Sequence, residues 1–144
     1  MILYLDTSSL LKCLIDEAHT TEVRDWLDAA GAVATSRVTY PEAAAALARR
    51  QRLGDLTAEG ARVALRRLVA RWAGFMLVDL AEIRAGGFAM RHELRGFDAV
   101  HVAAAVTLRD AVGTDGAAFS SFDDELNRAA VSEGLIVLAP GGPD

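Results

Sequence analysis

Four acidic side chains stand where the sequence predicts that a strand ends or a helix begins. Asp6 follows a short apolar run, and Glu42 follows Pro41 at a helix start; Asp98 precedes an apolar helix, and Asp123 follows a strand of small residues. Carboxylates that come together repel one another unless one is protonated or a cation binds. Oxygen ligands favour Mg²⁺ or Mn²⁺, and no cluster of Cys and His indicates zinc. The chemistry open to these residues is hydrolysis by water that a divalent cation activates.

Asp6 is the first of these positions. Residues 2–5 are apolar, too few for a helix and rich in strand formers, whereas Thr7 and Ser8 are typical of a helix start. We therefore expect Asp6 at the carboxyl end of a buried, central strand, which is the edge where open α/β sheets bind ligands. A carboxylate in that place must be paired, solvated or metal-bound, because its burial alone is too costly.

Glu42 and Asp98 each have a structural explanation as well as a functional one. Proline suits the first helical position, so Glu42 falls in the first turn, where the helix dipole favours a carboxylate whether or not it faces Asp6. Gly96 is predicted to end one helix and Asp98 to cap the next, which is apolar nearly all round and therefore buried. His101, one turn further on, either orients Asp98 or is a satisfied core histidine.

Asp123 repeats the arrangement of Asp6, because it too follows a predicted strand. Ser121 and Asp124, three positions apart, resemble a helix capping box with Asp in place of the usual Glu or Gln. Asp115 and Asp124 flank this stretch, and either could take the place of Asp123 in a site. The sequence leaves that choice open.

A helical hairpin is predicted after Glu42, with a turn at Gly54-Asp55 and a second arm from Thr57 to about Trp72. Half of the protein's arginines lie on it. Arginine binds phosphate through a planar fork and also pairs with carboxylates of a partner. The hairpin is therefore a solvated face, a surface for RNA or a surface for a protein partner. Its arginines are Arg49, Arg50, Arg52, Arg62, Arg66, Arg67 and Arg71.

Composition and patterning predict one α/β domain over residues 1–144, with about five strands and a frayed end at residues 139–144. The chain is 52% hydrophobic, yet no apolar run approaches the roughly 20 residues of a membrane span, so we expect no membrane association. Cys13 is the only cysteine and cannot form an internal disulfide, which fits a reducing cytoplasm. The net charge of -5 argues against non-specific coating of DNA.

Four segments resemble the motifs of the PIN-domain ribonucleases, and within that family those of the VapC toxins of bacterial toxin–antitoxin modules. Together they cover nearly the whole chain in order and spacing. The resemblance implies a parallel sheet with helices on both faces and a protruding helical hairpin. The segments are Leu5-Asp6-Thr7-Ser8, Pro41-Glu42, Phe97-Asp98-Ala99-Val100-His101-Val102-Ala103 and Phe119-Ser120-Ser121-Phe122-Asp123.

The resemblance also implies a Mg²⁺-dependent endoribonuclease, with Mn²⁺ as an alternative ion, that hydrolyses RNA phosphodiester bonds. Its acidic positions fall on four residues. Asp6 and Asp98 are expected to bind the metal directly, and Glu42 and Asp123 directly or through water. Two hydroxyl positions, Ser8 and Ser121, are expected to hold a carboxylate or a water in place.

The partners that the resemblance implies are an RNA substrate, a VapB-like antitoxin and a second toxin subunit, so that the protein would be a homodimer. The hairpin corresponds to the region where antitoxin and second subunit dock. This makes Arg49, Arg50 and Arg52 candidate contacts to RNA or to the antitoxin.

The alternative from another functional class is a catalytically silent PIN-like module that keeps the carboxylates but only binds RNA or protein. Two other folds that use an aspartate in their active site are each excluded by a residue that this sequence lacks. A haloacid-dehalogenase-type phosphatase needs a second Asp where Ser8 stands, and a receiver domain needs a late lysine, whereas Lys12 is the only lysine.

Overall fold

A five-stranded parallel sheet forms the middle layer of the computed structural model, which describes residues 1–140. Helices pack on both of its faces, which confirms the predicted α/β class. The predicted frayed end falls mainly outside the described residues. Within them the strands are β1 (Ile2–Leu5), β2 (Ala32–Ser36), β3 (Met76–Val78), β4 (Ala117–Ser120) and β5 (Ile136–Leu138). The helices are α1 (Thr7–Leu14), α2 (Thr20–Ala29), α3 (Thr39–Arg52), α4 (Ala58–Trp72), α5 (Glu82–His92), α6 (Gly96–Val112) and α7 (Asp124–Ser132).

The strand order is β3-β2-β1-β4-β5, so β1 is central, as predicted. It pairs in parallel with β2 on one side and with β4 on the other, and its last residue, Leu5, lies level with Ser120. The chain runs outward from β1 to β3 and then crosses back to β4, so the direction of winding reverses at β1. In open α/β sheets a crevice at such a reversal is the usual ligand site. Asp6 follows β1 at that place.

Alternate residues of β1 face two separate cores, because side chains of a strand point to opposite faces. Leu3 and Leu5 pack against α1–α4, and Tyr4 packs against α5–α7. All three are at most 1% exposed, and each such burial contributes about 1.5–3 kcal/mol to the stability of the fold. Because helices cover both faces of the sheet, β1 is apolar throughout instead of alternating between apolar and polar residues.

α6 is buried over most of its length, as its all-round apolar sequence predicts. One side packs on the sheet, and α5 and α7 contact it elsewhere. None of the helices in residues 1–140, α6 included, combines the length and the apolar character that a membrane crossing requires.

Two predictions about the start of α6 are wrong. α5 passes through Gly86-Gly87 without interruption and ends where Glu93 takes a left-handed backbone with φ 55°. Gly96 therefore does not end a helix; it is the first residue of α6, and Arg95 is the N-cap. As a consequence Asp98 is not a cap but lies in the first turn, where the helix dipole still favours a carboxylate.

The predicted capping box before α7 is also wrong. Asp123 is the N-cap, and its Oδ1 accepts a hydrogen bond of 3.0 Å from the Leu126 N–H. Ser121 lies two residues before this N-cap, and its hydroxyl donates to Asp6 instead. Asp124 is the first residue of the helix and is exposed.

The predicted hairpin is formed by α3 and α4. α3 begins at Thr39, two residues before Pro41, so Glu42 remains in its first turn. The turn contains Gly54 with φ 84°. Thr57, where the second arm was predicted to begin, caps α4 by accepting a hydrogen bond of 2.9 Å from the Gly60 N–H.

Candidate active site at the carboxyl edge of the sheet

The Asp6 carboxylate is fixed by hydrogen bonds at the end of β1. The side chain is 4% exposed. Its Oδ1 accepts a hydrogen bond of 2.8 Å from the Ser9 N–H, and Asp6 thereby caps α1. The Ser8 hydroxyl donates to the same carboxylate, at 2.8 Å from Oδ1, and the Ser121 hydroxyl donates to Oδ2 at 2.7 Å. Burial raises the pKa of Asp6 above its ordinary value, although the charge of His101 and these hydrogen bonds act in the opposite direction.

The two serines join the ends of the neighbouring strands β1 and β4. Ser8 Oγ accepts a hydrogen bond of 2.8 Å from the Phe122 N–H, and Ser121 Oγ accepts one of 3.1 Å from the Asp123 N–H. Each hydroxyl thus donates to Asp6 and accepts from the backbone that follows β4. The position of Asp6 relative to Asp123 depends on both.

Glu42 reaches the same edge of the sheet from α3. Its Oε1 accepts hydrogen bonds of 2.8 Å from the Thr7 hydroxyl and 2.8 Å from His101 Nε2. Partial burial alone would raise the pKa of Glu42, but the hydrogen bond and charge of His101 together with Thr7 outweigh burial and lower that pKa. Glu42 is therefore the member of the set that the protein itself keeps ionised.

Of the two explanations for His101, the structure confirms a satisfied core histidine, but its partners were not predicted from the sequence. Its side chain does not orient Asp98; it bridges Glu42 and the Tyr4 hydroxyl, which lies 3.0 Å from Nδ1. His101 is 2% exposed, so both ring nitrogens need partners inside the protein. One histidine within an otherwise apolar helix was the available signal, but its partners are too distant in the chain for a local pattern to name them.

Asp98 and Asp123 approach the site from the starts of α6 and α7. The pKa of Asp98 is raised, first by burial and then by the charges of Asp123 and Glu42, while His101 and Arg95 act to lower it. Asp98 and Asp123 therefore lie close enough to repel each other. Asp123 itself is exposed.

Asp115, one of the two alternatives to Asp123, lies at the opposite edge of the sheet. It belongs to the 3₁₀ turn Thr114–Gly116, which leads into β4, and Ala117 at the start of β4 pairs with Ile2 at the start of β1. The structure thus separates Asp115 from Asp6 by the length of a strand. Asp124 lies beside Asp123 and remains an alternative.

The donor set is suited to a hard divalent cation. As the side chains stand, no three His, Cys, Asp or Glu residues among residues 1–140 are close enough together to hold a metal ion. Burial is the main cause of the raised pKa values of Asp6 and Asp98, and a cation nearby would favour their charged forms. The ligands of such a cation would all be oxygens, as Mg²⁺ prefers.

Two open cavities adjoin Glu42, and the smaller of them also adjoins Asp98. The larger, of about 780 Å³, lies between α1, α3 and the start of α6, and the smaller, of about 430 Å³, lies over the first turn of α6. Glu42 and Phe97 line both cavities, Arg49 lines the larger, and Arg95 and Asp98 line the smaller. A chain-like ligand could therefore pass over the carboxylates from one cavity to the other.

The hairpin arginines do not form one free surface. Arg50 Nη1 donates to Glu17 at 2.6 Å, and Lys12 pairs with the same carboxylate at 3.1 Å. Arg67 Nη1 donates to the Leu14 carbonyl at 2.8 Å. These two arginines bind the hairpin to the end of α1 and to the segment that follows it. Arg49 lines the larger cavity, Arg52 is exposed, and Arg62 and Arg66 pair with Glu59.

An open parallel α/β sheet whose carboxyl edge gathers acidic side chains from β1, α3, α6 and the start of α7 is the arrangement of a PIN-type domain. The PIN domain family model matches residues 3–132. Ribonuclease VapC45 of Mycobacterium tuberculosis is 36% identical over 139 residues, which cover 94% of this chain and 94% of that protein.

Two solved structures share the fold. PAE2754 from Pyrobaculum aerophilum superposes with a TM-score of 0.66 at 20% identity, over 95% of this chain and 83% of that one. VapBC2 from Rickettsia felis, whose structure was determined with a DNA fragment from the promoter, superposes with a TM-score of 0.64 at 14% identity, over 96% of this chain and 98% of that one. The chain belongs to the PIN-domain family, and within it to the VapC-like ribonucleases.

Proposed function

We propose that this protein is an endoribonuclease that hydrolyses RNA phosphodiester bonds with the help of Mg²⁺ and acts as the toxin of a VapBC-type toxin–antitoxin module. The observation that carries the proposal is that Glu42 and Asp98, which are far apart in the chain, line one open cavity at the edge of the sheet where Asp6 follows the central strand. Similarity to Ribonuclease VapC45 over most of both chains supports RNA as the substrate.

Asp6 and Asp98 would hold the metal ion directly, and Glu42 and Asp123 directly or through water. Bound Mg²⁺ supplies charge that lowers the pKa of a coordinated water and neutralises the reacting phosphate; Mn²⁺ offers the same chemistry. Ser8 and Ser121 hold the Asp6 carboxylate, and Thr7 holds Glu42. These hydroxyls fix the donor atoms before the substrate arrives, so that little reorganisation is needed during the reaction.

The second functional class, a silent module that binds RNA or protein, predicts the same fold but no turnover. The assay that separates the two is cleavage of a structured RNA by the purified protein with Mg²⁺. Asp98→Asn is the matched control, because it removes one carboxylate and keeps its size. Cleavage by the wild type but not by the variant supports the enzyme; binding of RNA by both without cleavage supports the silent module.

A VapB-like antitoxin and a second copy of this chain are the partners that we propose for the α3–α4 hairpin. Leu53, Leu65 and Val69 are apolar yet 40–61% exposed there, and Arg49 and Arg52 stand next to them in the same two-helix unit. An apolar surface with basic residues beside it suits a partner that brings apolar and acidic side chains. The resemblance to VapC toxins supports these two partners.

A further inference from the structure

We propose that His101 is a positioning residue for the reaction: it holds the Glu42 carboxylate in its working orientation. The inference rests on the proposed function, since it assigns His101 a part in the same site. Its geometric basis is the buried contact of 2.8 Å between His101 Nε2 and Glu42 Oε1.

The hydrogen-bonding capacity of each group determines the direction of this contact. A carboxylate only accepts, so Nε2 must carry the proton and donate it to Glu42. Nδ1 lies 3.0 Å from the Tyr4 hydroxyl, which donates to a neutral ring and accepts from a protonated one. Tyr4 is fully buried. In both forms of the ring Tyr4 therefore binds Nδ1, and the Nε2 proton is left for Glu42.

The contact joins three of the four elements that position the candidate ligands. Tyr4 lies on β1, two residues before Asp6; His101 lies on α6, one turn after Asp98; Glu42 lies on α3. The Thr7 hydroxyl binds the same oxygen of Glu42 and lies 3.3 Å from His101 Nε2. The relative placement of Glu42 and Asp98 consequently depends on one imidazole ring.

His101 does not act on the substrate itself. Both ring nitrogens are already bound to protein groups, and the side chain is 2% exposed, so neither nitrogen can reach the cavities. A general base has to be within hydrogen-bond reach of the proton that it removes. Of the candidate metal ligands, Glu42 is the one to which His101 is hydrogen-bonded, so we infer that His101 acts through Glu42.

Two amide substitutions separate positioning from packing. The amide nitrogen of Gln extends about as far as Nε2 of histidine, so His101→Gln keeps a donor for Glu42. The amide of Asn extends only as far as Nδ1, so His101→Asn keeps a partner for Tyr4 and loses Glu42. We expect kcat to fall about 10–100-fold in H101N, the usual cost of losing a residue that orients a ligand. We expect H101Q to recover most of that loss, and KM for RNA to be unchanged in both.

A second measurement tests whether His101 acts through Glu42. In a protein that already carries Glu42→Gln, adding H101N should cause no further loss of kcat, because residues that work as one unit are not additive. Equal losses in H101N and H101Q, an additive loss in the double variant, or full activity of H101N would each overturn the inference.

Measuring the affinity for Mg²⁺ by calorimetry tests the positioning role of His101 even if the proposed function is wrong. If the wild type cleaves no RNA, the proposed function fails, but the positioning of Glu42 is still tested by metal binding. Weaker binding in H101N than in wild type and H101Q supports the inference, whereas equal affinity in all three proteins overturns it.

Discussion

At the scale of single residues, the candidate carboxylates are held in unequal states. Burial raises the pKa of Asp6, and burial together with the charge of Asp123 raises the pKa of Asp98. In Glu42 the partners His101 and Thr7 outweigh burial and lower the pKa. The protein thus favours the charged form of Glu42 and disfavours that of Asp6 and Asp98. Glu42 and Asp98 line the same cavity, and perturbed groups beside a cavity are typical of a functional site.

Each candidate metal ligand is expected to be essential. Asp6→Asn, Glu42→Gln and Asp98→Asn should each lower RNA cleavage by about a hundredfold or more, because stabilisation of the reacting charge by a metal ion is worth several kcal/mol. The variants should keep the circular dichroism spectrum of the wild type. Asp115→Asn, at the other edge of the sheet, is the control and should cleave at the wild-type rate. Loss of activity in this control would place the site elsewhere.

At the scale of helices and strands, α5 contains residues that destabilise a helix. It contains Gly86-Gly87, and glycine within a helix costs about 0.5–1 kcal/mol relative to alanine. A Cβ atom added at either position would meet no atom within 4 Å. The exposed glycines thus reduce stability without any packing reason within the described residues.

Replacing these glycines should stabilise the protein. We expect Gly86→Ala and Gly87→Ala each to raise Tm by about 1–4 °C, because each removes conformational freedom from the unfolded chain. Gly116→Ala is the contrasting variant and should lower Tm, because its Cβ would lie 2.7 Å from Val112 Cγ2. Thermal melts followed by circular dichroism check the signs, and a Tm decrease in the two α5 variants would show that they have a role in packing.

The hairpin arginines should divide into two groups. Arg50→Ala should lower stability by about 1 kcal/mol or less, since its ion pair with Glu17 is partly exposed. The double variant R49A/R52A should leave Tm unchanged but weaken the complex with the cognate antitoxin, because these two side chains are available to a partner. Calorimetric titration measures the affinity. An unchanged affinity would mean that this face is only solvated surface.

The types of the secondary-structure elements were easier to predict from the sequence than their exact ends and the contacts between them. The strands, the central place of β1 and the buried α6 followed from apolar runs and periodicity. The ends of α5 and α6 did not, because Glu93 adopts the left-handed conformation that Gly96 was expected to adopt. The contact of His101 with Glu42 joins residues 59 positions apart, and the pairing of Arg50 with Glu17 joins residues 33 apart. Local patterns carry no information about such partners.

At the scale of the whole molecule, stability should be coupled to metal binding and pH through Asp98. Its pKa is raised in the folded protein, so the protonated form favours the fold. That contribution is fully present below the ordinary pKa of 3.8 and is lost as pH rises through the raised folded value. Near pH 7 without metal, the charged Asp98 therefore opposes folding, and a bound cation would reverse this effect.

We accordingly expect Asp98→Asn without metal to melt at or above the wild-type Tm near pH 7. Mg²⁺ at a hundredfold excess over Kd should stabilise the wild type by about 2.7 kcal/mol, which corresponds to about 5–10 °C, and should affect the variant much less. Melting curves of both proteins with and without Mg²⁺ provide the comparison. Equal Mg²⁺ shifts would mean that Asp98 only supports the helix and is not part of a metal site.

The measurement that tests the central claim most directly is RNA cleavage by the wild type before chelation, after exhaustive chelation and after Mg²⁺ is added back. The one histidine of the site is buried with both nitrogens engaged, so it cannot act on the substrate, and we propose that a cation activates the water instead. We predict that cleavage stops on chelation and returns with Mg²⁺. Cleavage that continues at an undiminished rate in the chelated protein would contradict the metal-dependent mechanism.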